Sequence, residues 1–275
     1  MRRPLLLALC LMLSSTASAI VIRADLDDAA YRVPASTFPA LVDMPGEGHG
    51  VLIAPQWVVT AAHTIPLHGE LKQVTLLGTP RPVERVVVHA GYRPLPPLLI
   101  EQAMASGEAM LIVAYLADSD DIALIQLAQP VTDVTPAERR GDSVRAGETV
   151  QLLGKGATGQ GVAGYDPAGP HRTALRRAYN QVTSAYGRWF CYRFDAPPAA
   201  VALEGTLGNG DSGGPVLVQA QDQWQLAGVA SWKVVQGNVI TARYGRYGEV
   251  ACNVRLSHYA DWIDAVMAGE EPAAG

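Results

Sequence analysis

Short apolar runs bounded by turn residues recur along most of this chain, at residues 51–53, 57–60, 74–77, 83–89, 122–127, 150–153, 213–218, 225–232 and 250–256. They are rich in Val, Ile, Leu and Trp and are separated by Gly, Pro or polar residues. Strands this frequent argue for an all-β barrel or sandwich rather than alternating β/α units. The composition agrees, with 27 Gly and 19 Pro against 7% aromatics, which favours many short elements joined by turns. The period changes only near the end. Tyr259, Trp262, Ile263, Val266 and Met267 fall on one face of a helix, expected over about 257–268, with a flexible tail at 269–275. Residues 128–148 carry Pro130, Pro136, Gly141, Gly147 and a charge cluster, and read as the link between two halves. Residues 95–115 read as a surface insertion, prolines first and a short helix after.

The N-terminus reads as a secretory signal peptide over residues 1–19. Arg2 and Arg3 form a basic start, Leu5 to Leu13 an apolar run too short to span a bilayer, and Ala17-Ser18-Ala19 a small-residue cleavage site. Cleavage there starts the mature chain at Ile20-Val21-Ile22. No later segment reaches 18 uninterrupted apolar residues, so the expected product is exported, periplasmic or secreted, without stable membrane insertion. Cys10 leaves with the signal. Cys191 and Cys252 remain, either as one disulfide, which an exported protein permits, or as two separate thiols.

Charge and cysteine usage exclude several functions. The net charge is −5 with no Lys/Arg block, which speaks against nucleic acid as a partner. None of the three cysteines sits in a C-x-x-C pair, which speaks against a Cys-based zinc site.

Three segments carry chemistry: Val58-Val59-Thr60-Ala61-Ala62-His63, Asp121-Ile122-Ala123-Leu124, and Gly210-Asp211-Ser212-Gly213-Gly214-Pro215. Together, and in this order, they resemble the trypsin/chymotrypsin-like serine endopeptidases, over nearly the whole mature chain. A serine hydroxyl is a poor nucleophile at neutral pH and needs a base within hydrogen-bond reach. Histidine titrates near working pH, and a carboxylate fixes its tautomer and stabilises the imidazolium. The assignment is Ser212 as nucleophile, His63 as general base then acid, and Asp121 as orienter. Asp118 and Asp120 are the neighbouring acids, but only Asp121 directly precedes the apolar Ile-Ala-Leu run.

The resemblance implies further roles. The backbone N–H groups of Gly210 and Ser212 bind the oxyanion. Asp211 pairs with a freshly exposed N-terminal ammonium, and Ile20 is the candidate terminus, so that signal removal itself activates the enzyme. Ser231 and Trp232 match the cleft segment in which the serine supports the triad acid and the backbone pairs with substrate. Lys233 stands where the family often has Gly, and narrows the cleft or alters its charge. The primary pocket floor falls at Thr206, which is not the acid that selects Arg or Lys. The family's cysteine beside the histidine is absent, since Thr64 follows His63, and Cys191 and Cys252 instead would link neighbouring strands of the second barrel.

Gly154-Lys155-Gly156-Ala157-Thr158-Gly159 also matches a dinucleotide-binding pattern, but a glycine-rich loop follows it and no helix, so the glycines are assigned to turns. The expected fold is therefore all-β: two antiparallel β-barrels of the chymotrypsin type, about 20–135 and 136–256, with a C-terminal helix. The expected function is that of an exported serine endopeptidase, monomeric, with protein or peptide substrates and neither cofactor nor metal. The alternatives are a catalytically weak binding module and an esterase on the same fold.

Overall fold

The apolar runs become strands, and the strands close into two barrels. The structure is a computed structural model and describes residues 20–270 apart from 168, 170, 171, 173, 221, 235–237, 239 and 241. The leader read at residues 1–19, and residues 271–275 of the tail, lie outside the described residues. After β1 (Ile20–Ile22) come β2 (Leu41–Asp43), β3 (His49–Ala54), β4 (Trp57–Thr60), β5 (Gln73–Leu76), β6 (Thr79–Val88) and β7 (Ala123–Leu127). These last six form a closed antiparallel barrel in the order β2-β3-β4-β7-β6-β5. The second half contributes β8 (Thr149–Gly154), β9 (Thr158–Gln160), β10 (Gly164–Tyr165), β11 (Arg176–Tyr186), β12 (Trp189–Arg193), β13 (Gly205–Thr206), β14 (Pro215–Ala220), β15 (Gln223–Val234) and β16 (Val250–Arg255). Its closed barrel runs β11-β12-β16-β15-β14-β8.

One boundary read from the sequence moves. The sequence reading puts residues from about 20 in the first barrel, but β1 pairs with β9 in parallel and with β13 in antiparallel register, in a small sheet attached to the second half. The reason is burial. Ile20 and Ile22 pack into the second barrel's core while Val21 faces Ala157, Tyr165 and Phe194. Each such side chain contributes about 1.5–3 kcal/mol by leaving water. The span 128–148 does connect the barrels, without regular elements, and its backbone bonds to both: Ala137 N–H to Leu52, and Leu226 N–H to Glu138.

The insertion between β6 and β7 holds two helices, α1 (Pro97–Ser106) and α2 (Ala109–Ala117), rather than one. Proline opens the first and Gly107, at φ +77°, ends it. The Trp189 indole N–H donates to the Ala117 carbonyl at 2.8 Å and ties the insertion to the second barrel. The C-terminal helix α3 (Ala260–Ala268) lays Ile263 and Val266 into the core that also holds Leu124 and Leu127 of the first barrel. Among the described residues no helix is long and apolar enough to cross a membrane.

Candidate active site

β4 and β7 are neighbours, with Thr60 opposite Ala123, so the turn after one and the residue before the other meet at the same end of the barrel. The chain leaves β4 through buried Ala61 and Ala62 into a single 3-10 turn that presents His63. Thr60 Oγ1 sits 2.6 Å from the His49 carbonyl and 2.8 Å from Thr64 Oγ1, which fixes that turn. Ile122 is wholly buried and draws Asp121 to 5% exposure beside it.

Asp121 is saturated with donors. Its Oδ1 accepts the His63 backbone N–H at 2.8 Å. Its Oδ2 faces His63 Nδ1 at 2.7 Å and accepts the Ser231 hydroxyl at 2.5 Å. A carboxylate acceptor at Nδ1 demands the Nδ1–H tautomer, which leaves the Nε2 lone pair free. Burial opposes charging both groups, yet each outweighs it for the other. Asp121 stays below its usual carboxylate value through His63 and Ser231, and His63 rises above 6.5 through Asp121. The neighbouring acids are engaged elsewhere. Asp118 pairs with Arg93, and Asp120 accepts the Tyr259 hydroxyl at 2.6 Å.

Ser212 lies on a turn wedged between the barrels. Its carbonyl accepts the His49 N–H at 2.7 Å from the first barrel, and Gly213 N–H reaches the Ala230 carbonyl of the second at 2.8 Å. Two glycines are obligatory here. Gly210 takes φ +85°, and Gly213 takes φ +72° where a Cβ would lie 2.2 Å from the His49 carbonyl oxygen. Beneath the turn Asp211 is fully buried, accepting the N–H groups of Gly156 at 2.7 Å and Gly208 at 2.8 Å. Burial raises its carboxyl to about 6 against those donors, the Lys233 charge and a hydrogen bond from the Ile20 backbone N–H. Two glycines of the run at 154–159 are thereby explained, while Gly159 is required by the Gly164 carbonyl on the neighbouring strand. A Cβ on Gly154 or Gly156 would collide with the Asp211 carboxylate.

His63, Gly210, Ser212, Ser231 and Lys233 line one cleft of about 670 Å³. A smaller, mostly apolar cavity of about 240 Å³ opens beside it, walled by Tyr92, Leu95, Leu116 and Trp232, so the helical insertion borders the site. The Trp232 ring packs edge-on against Trp189. Thr206 does not join them. It is 0% exposed, pairs with Val21 in the small sheet, and is absent from the cleft wall. Cys191 and Cys252 are joined in a disulfide between directly opposed positions of β12 and β16, and Trp232 of β15 is registered against the same Cys252.

Lys233 turns inward. Its ammonium meets the Leu207 carbonyl at 2.9 Å, the Tyr165 hydroxyl at 3.0 Å and Glu249 Oε1 at 3.2 Å. Burial lowers its pKa, and the Glu249 and Asp211 charges resist that. Glu249 and Tyr165 were not singled out in the sequence, where neither falls in a motif. Among the described residues no group of three His, Cys, Asp or Glu is placed to hold a metal.

Residues 30–263 match the family model described as Trypsin. Among curated proteins the chain is similar to complement C1r-B subcomponent of Mus musculus, 26% identical, across 84% of this chain and 32% of that protein. It is also similar to complement C1r-A subcomponent of Mus musculus, 27% identical, across 82% and 32%. The chain thus spans about a third of the length of those two relatives. Proproteinase E of Bos taurus is 29% identical across 80% of this chain and 83% of its own. Among solved structures, mouse neuropsin, a serine protease, superposes with a TM-score of 0.63 at 18% identity, covering 86% of this chain and 98% of that one, and so shares the fold.

Proposed function

This chain belongs to the trypsin family of serine endopeptidases, and we propose that it is an exported enzyme that hydrolyses peptide bonds with His63, Asp121 and Ser212 as its triad. The observation that carries this is the Nδ1 of His63 held 2.7 Å from an Asp121 carboxylate, on the wall of the cleft that Ser212 also lines.

In the proposed reaction Ser212 Oγ attacks the scissile carbonyl carbon and gives its proton to His63 Nε2. The oxyanion is held by the N–H groups of Gly210 and Ser212, where one donor is worth about 3–4 kcal/mol of transition-state stabilisation. The intermediate expels the amine, which takes the proton from His63. Water, deprotonated by His63, then attacks the acyl-enzyme and releases the acid and the free Ser212 hydroxyl. Throughout, Asp121 stays ionised and holds the imidazolium.

Activation is proposed to follow cleavage between Ala19 and Ile20. The Ile20 nitrogen already donates toward Asp211 as an amide. Cleavage would turn it into an ammonium at the same place, giving a buried carboxylate a full counter-charge and bracing the Gly210–Ser212 turn.

The test is digestion of a peptide mixture by the wild-type protein and by Ser212→Ala, with simple esters assayed alongside. Peptide turnover lost in the variant supports the proposal. Ester turnover without peptide turnover favours an esterase, and a function surviving Ser212→Ala favours a binding module.

A further inference from the structure

The site around Lys233 has the chemistry of a receptor for an organic cation. Glu249 supplies a carboxylate that is 3% exposed as a side chain. Its Oε2 accepts the Gly245 N–H at 2.8 Å, while among the described residues its Oε1 meets only the Lys233 ammonium. The Leu207 carbonyl and the Tyr165 hydroxyl complete the polar lining. The Tyr165 hydroxyl is itself anchored on Asn209 Oδ1 at 2.6 Å. Two aromatic faces close the cage, with the ammonium 4.5 Å from the Tyr165 ring centroid and 5.8 Å from that of Tyr244. A carboxylate, a carbonyl, a hydroxyl and aromatic faces are the groups that bind a desolvated cation.

The cage adjoins the reaction site. Lys233 and Leu207 line the cleft with Ser212, but neither Glu249 nor Thr206 does. The cleft therefore ends on the Lys233 stem, which crosses from β15 to the Leu207 carbonyl just after β13 and shuts the cage behind it.

Resting on the endopeptidase reading above, we propose that Lys233 occupies the primary substrate pocket as the chain's own basic side chain. The pocket left to substrate takes only a small uncharged residue before the scissile bond. An arginine or lysine is excluded by bulk and by the Lys233 charge, and an aspartate or glutamate meets a Lys233 ammonium already paired with Glu249. Behind the plug lies a complete site for a basic side chain, with Glu249 as its acid.

The test profiles cleavage of a peptide library by wild type, Lys233→Gly, Lys233→Met and the double variant Lys233→Gly/Glu249→Gln. The expected wild-type preference is Gly, Ala or Ser. In Lys233→Gly the ratio of kcat/KM for Arg or Lys over Ala should rise at least tenfold. That gain should vanish in the double variant and be absent in Lys233→Met, which refills the pocket without a charge. Benzamidinium binding by calorimetry reads the cage without any turnover: binding to Lys233→Gly but not to wild type supports the proposal. Wild-type cleavage after Arg or Lys, or Lys233→Gly that neither gains basic cleavage nor binds benzamidinium while its melting stays cooperative, overturns it. Fluorophosphonate labelling of Ser212 in the same samples reports the catalytic turn separately, so a failed triad and a failed plug give different results.

Discussion

Ser231 donates its hydroxyl hydrogen to the same Asp121 oxygen that faces the His63 ring, at 2.5 Å, from a strand of the other barrel. The acid of one barrel is thus held by a side chain of the next, and the two halves must be docked for the pair to be set. Asp121→Asn should lower kcat by about 10⁴, because an amide favours the wrong imidazole tautomer. Ser231→Ala removes one hydrogen bond to a charged group, about 1.5–3 kcal/mol, and should lower kcat/KM by roughly 10- to 100-fold. Steady-state kinetics on one peptide checks both.

The pH profile follows from the same pair. In the proposed reaction His63 must be neutral to accept the serine proton, and Asp121 raises its pKa above 6.5. Activity should therefore fall as the pH drops, with a midpoint above 6.5. In Asp121→Asn burial, which disfavours the imidazolium, is opposed by the Glu47 charge but no longer by the Asp121 carboxylate, so the acid limb should move to lower pH. A kcat/KM profile that does not move between the two proteins contradicts this.

Much of this was legible in the sequence, for a physical reason. His63, Asp121 and Ser212 each sit at the end of a strongly apolar strand, so the motif and the strand signal coincide. The strand β11 was harder. Arg176 of β11 is 0% exposed and bonds Asp28 at 2.6 Å, and Asn180 is buried on the Gly205 carbonyl, so inward positions carry polar letters and break the alternation. β1 was misplaced because three consecutive buried residues do not say which barrel buries them. The Lys233 cage was invisible because its members, at 165, 207, 233, 244 and 249, come from separate segments that meet only after the second half closes.

Asp211 makes the two forms of the N-terminus distinguishable by titration. With Ile20 still amide-linked, its folded pKa is about 6, above the usual 3.8. The folded state then holds the proton more tightly, so stability should fall by about 3 kcal/mol as pH rises from about 4 to 6. With a free Ile20 ammonium the pair is charged. The ammonium's pKa is raised by its partner, so its contribution is complete below an ordinary α-amino pKa of about 8 and is lost as pH rises through the folded value. Denaturation midpoints against pH for the two forms should slope in these opposite windows.

The Cys191–Cys252 bridge closes a loop of 61 residues in sequence separation. Replacing both cysteines by Ala should lower stability by about 2–5 kcal/mol, mainly by freeing the unfolded chain. Because Trp232 lies opposite Cys252, the loss should be accompanied by a raised KM. Denaturant titration with and without reductant measures the first, and kinetics on the oxidised and reduced protein the second.

The most direct measurement is covalent. Protein whose chain begins at Ile20 is treated with a fluorophosphonate, and the modified peptide is mapped by mass spectrometry, with His63→Ala in parallel. The account predicts a label confined to Ser212, lost in His63→Ala and slowed when a residue precedes Ile20. A label elsewhere, or none on a protein with a free Ile20, would contradict it.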